Sequence, residues 1–451
     1  MLSIAIAILG IFLTIFFVVG VHEFGHFIIA RLVGIKVLRF SFGFGKTLFH
    51  WYDKKGTEYV IAAIPLGGYI KMLDENEGSV AKEELPFAYN RQPLYKKAAV
   101  VIAGPAFNMV FAFVLYWLLF VIGFITVVPV IGNVTPHSIA AEAGLKPQQE
   151  IVRINNKPIL SWTSVAIRLL SSVGEKGQLS IETKDLASSR TETHILNLSS
   201  WKMDELQPNP LDSLGILPYA PVIPPVIGNI SDESPAAKSK LKIGDKIISI
   251  DKKPVKDWME VMMAIATHPE EYIPFTVMRD KKMQTFLVGI DSQYDYFKKI
   301  GYLGIGSTFV WPENLIRKIQ YTPIAALSHA WQNTYDFTYI NFLIFGKMIT
   351  GKISVKSLGG PITIFSSAGS ALNSGLLSFI SFLAFLSISI GFINLLPIPG
   401  LDGGHLLFQL IEFVIRRPIS LRVQFFCYRL GIILLLILIT QALVNDFLRF
   451  L

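Results

Sequence analysis

The chain is 451 residues long, with 52% hydrophobic and only 16% charged residues, against roughly 25% charged in an average soluble domain. That balance excludes a disordered or ordinary cytosolic protein, and the one cysteine, Cys427, excludes intrachain disulfides and cysteine-based zinc clusters. The formal net charge of +8 would suggest nucleic acid if it formed one patch, but the basic residues flank apolar runs without any finger, RRM or P-loop pattern, so no nucleic-acid partner is expected.

Leu2 to Val21 carry no charge, and about 20 helical residues reach the roughly 30 Å that a bilayer core requires. The run leads into His22-Glu23-Phe24-Gly25-His26 rather than a small-residue cleavage site, so it reads as a retained span and not a signal peptide. Arg31 to Lys97 hold eleven Lys/Arg. Within them, Val37 to Gly45 and Thr57 to Met72 read as short strands around the Gly-rich turns Phe42-Gly43-Phe44-Gly45 and Pro65-Leu66-Gly67-Gly68-Tyr69. Two readings stay open for them: cytoplasmic hairpins, or a re-entrant sheet whose edge pairs with a substrate strand. Ala98 to Ile125 form the second expected span, bent near Gly104-Pro105. Its Asn108 either lines a site or hydrogen-bonds a neighbouring helix.

About 250 residues separate the second and third apolar regions, and they contain a repeat. A shift of 96 positions aligns Val130–Trp162 with Val226–Trp258, with 14 of 33 positions identical, including Ser138/Ser234, Ile151/Ile247, Ile154/Ile250 and Pro158/Pro254. Each copy, about 95 residues long, reads as strand, small-residue helix, turn, alternating strand and longer helix. This order resembles a PDZ domain of the bacterial type. Each copy keeps half of the usual Ala-Gly-Leu-Lys-x-Gly-Asp turn: Ala143-Gly144-Leu145-Lys146 in the first, Gly244-Asp245 in the second. The resemblance implies either peptide capture by strand addition or a steric cap over the membrane part. After the repeats, Pro323 to Lys347 mix aromatics with isolated polar residues, the pattern of an interfacial amphipathic helix; His329 within it reads as solvated or interfacial.

Ser357 to Leu401 are uncharged, with an apolar run from Leu376 to Leu396, and a fourth run extends from Leu430 to Val444. The Lys/Arg-rich stretch 31–97 and the loop with Arg416, Arg417, Arg422 and Arg429 belong in the cytoplasm by the positive-inside rule. Both termini and the repeats then lie outside, in the periplasm of a Gram-negative cell.

His22 and His26 stand at i and i+4, on one face of a helix, with Glu23 beside the first. This is the spacing of zinc hydrolases, in which a carboxylate serves as general base. A catalytic zinc needs a third protein ligand and an open position for water. Asp402 is the candidate, the first charge after 45 uncharged residues, within Asn394-Leu395-Leu396-Pro397-Ile398-Pro399-Gly400-Leu401-Asp402-Gly403-Gly404. The first and third spans run in the same direction and carry their motifs at their inner ends, so the ligands can meet in the cytoplasmic half. His405 is expected to stand behind the site and leave the open position to water.

With these paired motifs the chain resembles the site-2 proteases, a family of intramembrane zinc metalloproteases. The resemblance implies a polytopic α-helical membrane protein of four transmembrane helices with a re-entrant β element and two tandem periplasmic PDZ-like α+β domains. Its expected divisions are 1–30 (first helix, zinc motif), 31–97 (cytoplasmic and re-entrant β region), 98–125, 126–220 and 221–310 (the repeats), 311–374 (amphipathic segment), 375–404 (third helix, Leu-Asp-Gly motif), 405–429 (cytoplasmic loop) and 430–446. It also implies Zn2+ on His22, His26 and Asp402, Glu23 as the catalytic residue, and substrate held by Asn394, Pro397, Pro399, Gly67 and Gly68. The implied substrates are single-span membrane proteins in the bilayer: an anti-sigma factor trimmed on its outer side, as in envelope stress signalling, and remnant signal peptides. The rival readings are a metal transporter, which would spread polar residues along a crossing path, and a membrane-anchored scaffold without proteolysis.

Overall fold

The computed structural model describes residues 2–203, 209–295 and 298–450. Among these residues four helices are long and apolar enough to cross a membrane, covering Ile6–Leu32, Leu94–Ile122, Leu376–Leu395 and Leu421–Leu448, which makes the protein a polytopic helical membrane protein. The first, α1 (Leu2–Leu32), is followed by strands β1 (Val37–Tyr52) and β2 (Glu58–Met72) and by helix α2 (Leu94–Ile122). Pro105 lies inside α2 without interrupting it. The helix stops three residues short of the expected end, because Gly123 turns the chain at φ 84° and β3 (Phe124–Val127) begins.

β1 and β2 are two long strands that each pair twice. Arg39–Phe42 face both Glu58–Ile61 on one side and Gly68–Lys71 on the other, while Thr47–Tyr52 pair with the remaining side of residues 58–62. The two strands therefore fold into four runs in the order 47–52, 58–62, 39–42, 68–71. The bends fall at Gly43 (φ 87°) and Gly67 (φ 142°), backbone angles that side-chain-bearing residues rarely adopt. Residues 68–71 form one edge of this sheet, and Arg31 at the end of α1 fastens the opposite turn through an ion pair with Asp53.

The two copies of the repeat share one sheet-and-helix plan and differ in their small added elements. The first copy has β4 (Ile131–Val134), α3 (Ile139–Glu142), β5 (Gln149–Ile154), β6 (Lys157–Pro158), α4 (Trp162–Ser172), β7 (Gln178–Asp185), β8 (Thr191–Asn197), α5 (Pro210–Leu214) and β9 (Ile216–Pro218). The second has β10 (Ile227–Ile230), β11 (Lys246–Ile250), β12 (Lys253–Pro254), α6 (Trp258–Ala266), β13 (Tyr272–Arg279), β14 (Lys282–Gly289), β15 (Asp291–Asp295), β16 (Lys298–Tyr302) and β17 (Ile305–Ser307). Their four-stranded sheets run β6-β5-β7-β8 and β12-β11-β13-β14.

The shared residues have shared jobs. Ile131/Ile227, Ile151/Ile247 and Ile154/Ile250 are buried in the two cores. Ser138 caps α3 by accepting from the Ala141 amide, and Ser234 makes the same bond from the Ala237 amide in the corresponding turn of the second copy. Asn155-Asn156 and Asp251-Lys252 carry positive φ at both positions, as a two-residue hairpin turn into Lys-Pro requires. In the divergent turn, Gln149 accepts from the Lys146 amide where Asp245 accepts from that of Lys242.

β18 (Ile316–Ile319) returns the chain to β3, and α7 (Pro323–Ile349), α8 (Pro361–Asn373), α9 (Leu376–Leu395), α10 (Asp402–Ile415) and α11 (Leu421–Phe450) follow. α7 packs along the bundle through Tyr116–Phe337 and Phe342–Phe392 ring contacts, yet leaves Trp331, Tyr335 and Tyr339 exposed. His329 stacks on Tyr321 with ring centroids 3.7 Å apart. Val18, Ala112, Leu115, Ala384 and Ile388 form the core between α1, α2 and α9.

Two expectations need correction. The stretch 405–429, expected as a cytoplasmic loop, is mostly helix: α10 runs to Ile415 and α11 starts at Leu421. The fourth helix is thus longer than the apolar run 430–446, because Arg422 and Arg429 interrupt the hydropathy but not the backbone. At its far end Asp446 accepts hydrogen bonds from the Gly360 and Thr363 amides, capping α8.

Candidate metal centre

His22, Glu23 and His26 lie within α1, ten residues and fewer from its end, where a continuous helix puts both imidazoles on one face. Asp402 opens α10 after the irregular connection from α9. Its neighbours explain the position. A Cβ on Gly403 or Gly404 would overlap the carbonyl oxygens of Leu396 or Ile398, so only glycines let the first turn of α10 fold back on the proline-containing connection.

Three donor atoms converge. Nε2 of His22 is 3.2 Å from Nε2 of His26, and Oδ2 of Asp402 is 3.0 Å from the first and 3.4 Å from the second. Despite this proximity the buried Oδ2 takes part in no hydrogen bond. Tetrahedral ligation at 2.0–2.1 Å separates ligand atoms by about 3.3 Å, so the triangle has the size of a zinc site, and a cation is what its three facing donors lack.

The far sides of both imidazoles are held. Nδ1 of His26 donates to the carbonyl oxygen of Val100 at 2.7 Å, which frees Nε2 for a metal. Nδ1 of His22 lies 3.4 Å from the side-chain amide of Asn108, a fully buried residue whose Oδ1 has no partner. With the amide rotated, Oδ1 accepts from Nδ1–H, and both the orphan oxygen and the imidazole are satisfied. Ser387 in α9 holds the Asn108 carbonyl oxygen.

α2 approaches the histidines closely. A Cβ on Gly104 would overlap Nε2 of His26 and sit 2.8 Å from Cε1 of His22. Gly25 does the same for the helix contact, since a Cβ there would be 2.9 Å from Cβ of Phe107.

His22, Glu23, His26 and Asp402 line one cavity of about 510 Å³, together with Asn394 and Tyr69. Asp74 and Glu77 also line it, giving water a polar approach to an otherwise apolar bundle. Gly68, at the sheet edge, has its Cα side against Glu23, whose Cγ would lie 3.3 Å from an added Cβ. Gly67 instead lines a neighbouring apolar cavity with Phe16 and Phe42. Pro397 and Pro399 lie in the connection before α10 and do not line the metal cavity; Pro399 packs against Gly431 of α11. His405 lines the cavity and pairs its Nδ1 with the Tyr428 hydroxyl at 3.1 Å. Gly104 and Val100 had no signal in the sequence beyond a helix-bending Gly-Pro pair.

Comparison with known proteins extends over the whole chain. The profile of peptidase family M50 matches residues 10–438. The chain is similar to the regulator of sigma-E protease RseP of Salmonella typhimurium, 38% identical over 450 residues and 100% of both chains. It is 39% identical over 445 residues to that of Escherichia coli, covering 98% of this chain and 97% of the other. A Vibrio cholerae protein whose name assigns it to the zinc metalloproteases is 38% identical over 433 residues, 96% of each.

Proposed function

The chain belongs to peptidase family M50, which makes it an intramembrane zinc metallopeptidase, and we propose that His22, His26 and Asp402 hold its zinc and that Glu23 is its catalytic carboxylate. The observation that carries this assignment is the triangle of donor atoms, 3.0–3.4 Å on a side, with a carboxylate oxygen that has no other partner. Zinc bound there supplies Lewis-acid polarisation of a carbonyl and a lowered pKa for water. Glu23, facing the same cavity, takes the proton of the attacking water and passes it to the leaving amine. Val100 and Asn108 keep both imidazoles in the tautomer that offers Nε2.

The substrate must present an extended peptide, because a helix shields its own carbonyls. The sheet edge 68–71 ends beside Glu23, and an extended chain added to it runs past the metal. This supports the re-entrant reading of β1 and β2, with Gly67 and Gly68 giving the substrate backbone room and Asn394, Pro397 and Pro399 holding it from the α9–α10 side. Substrates are single-span membrane proteins; the names of the relatives favour an anti-sigma factor trimmed on its outer side, and remnant signal peptides are a second group. The two repeats are periplasmic PDZ domains that exclude substrates with bulky outer parts. The protein sits in the bacterial inner membrane with both termini outside and the metal in the cytoplasmic half.

The ligand assignment is tested by the zinc content of purified wild type, His26→Ala and Asp402→Ala after dialysis against a mild chelator. Wild type should retain stoichiometric zinc and both variants should lose it; full zinc in either variant excludes this ligand set.

A further inference from the structure

A second cavity, of about 620 Å³, lies between the start of α2 and the end of α10, away from the metal. Its volume falls in the range of small-molecule sites, and its lining has two characters. Leu94, Phe413 and Val414 supply an apolar floor, and the exposed Leu410 lies on the same face of α10 as Phe413 and Val414 by its i, i+3, i+4 spacing. Lys97, Arg416 and Arg417 supply three cations, and none of them makes an ion pair or side-chain hydrogen bond among the described residues. The one carboxylate, Glu412, is committed to the Ile419 amide at 3.0 Å. The cleft also lies at the first turn of α2, whose cap residue Pro93 provides no side-chain acceptor, and a helix N-terminus favours anions.

We propose that this cleft binds the headgroup of an anionic phospholipid, with the phosphate between Lys97, Arg416 and Arg417 and the acyl chains along Phe413, Val414 and Leu410. The inference rests on the reading above that this end of the bundle lies at the inner leaflet, where such lipids and basic pockets between helices coincide. A free phosphate would use the same cations but not the apolar floor, which is why a lipid is the better fit. The site touches the last turn of the helix whose first residue is Asp402.

The test is native mass spectrometry of the full chain after reconstitution into phosphatidylcholine vesicles with and without phosphatidylglycerol, and into phosphatidylcholine vesicles with millimolar inorganic phosphate. Wild type should retain phosphatidylglycerol in preference to phosphatidylcholine. Each basic side chain near an anionic lipid is worth about fivefold in binding, so Arg417→Gln should lose roughly fivefold and Lys97→Gln/Arg416→Gln/Arg417→Gln more than tenfold. The single substitution keeps the answer decisive should the triple variant misfold. Equal retention of the two lipids, unchanged retention by Arg417→Gln, or phosphate adducts without lipid adducts would each overturn the proposal. The readout involves no peptidase activity, so its failure and failure of the zinc assignment are distinguishable.

Discussion

Gly104 of α2 lies so close to His26 of α1 that a methyl group at position 104 would overlap the imidazole Nε2 and crowd Cε1 of His22. The helix pair is thus shaped around the two imidazoles and not merely adjacent to them. Gly104→Ala should push one imidazole out of register, and a displacement of about 1 Å in a reacting group costs roughly 100-fold in rate. Zinc content measured by plasma mass spectrometry should fall together with turnover; full zinc with full turnover would show that the contact is slack.

Asn108 reaches His22 from the same helix, and removal of such outer partners lowers metal affinity by about 10–100-fold. Asn108→Ala should show that loss in competition with a graded series of chelators, while Asn108→Asp, which keeps an acceptor, should recover most of it. Equal zinc affinity in all three proteins would reduce Asn108 to a helix-packing residue.

What was legible in the sequence and what was not follow from range. The i, i+4 pair His22/His26 is local, and a helix dictates its geometry. Asp402 announced itself by isolation, since a charge that ends a long uncharged run next to a membrane span is costly without a purpose. The repeat was legible because several of the identical positions are core residues, Ile151/Ile247 and Ile154/Ile250 among them. By contrast, α10 was hidden: Gly403 and Gly404 are poor helix formers and follow two prolines, so the segment reads as a loop, although the packing against Leu396 and Ile398 demands those glycines. The double pairing of β1 and β2 was equally hidden, because the bends at Gly43 and Gly67 return each strand to a partner it has already met. The contacts of Gly104 and Asn108 depend on how α2 meets α1, which no pattern within either helix encodes.

The second repeat carries an acid-sensitive bond. Asp245 is 1% exposed and its carboxylate is paired with Arg279 at 2.7 Å. Burial pushes the carboxyl up, but the Arg279 guanidinium and the Lys242 amide outweigh it and hold it below the ordinary carboxylate value. A depressed carboxyl stabilises the fold above the unfolded value, about 3.9, and that contribution disappears as pH falls through the lower folded value. Hydrogen exchange of the full chain should therefore show residues 227–289 losing protection below about pH 4, ahead of the first repeat, whose equivalent residue is the uncharged Gln149. Asp245→Ala should destabilise the same segment at neutral pH by about 1–3 kcal/mol, because it removes the acceptor of the Lys242 amide and the carboxylate partner of Arg279. Matching acid profiles for the two repeats would remove the pair from the account.

The gating role assigned to the repeats makes a prediction of opposite sign to most deletions. A chain lacking residues 130–310 should gain the ability to cut a single-span substrate that still carries its bulky outer domain. Assayed beside the trimmed substrate, which both proteins should cut, continued refusal of the untrimmed one would rule out steric exclusion by the repeats.

Cleavage of a single-span test substrate by reconstituted, zinc-loaded wild type and Glu23→Gln tests the central claim most directly. Wild type should release the cytoplasmic fragment, while Glu23→Gln, with its three metal-facing donors intact, should retain zinc and lose cleavage by a factor of about 10²–10⁴, the usual contribution of a general base. Unchanged cleavage by Glu23→Gln, with zinc retained in both proteins, would contradict the mechanism.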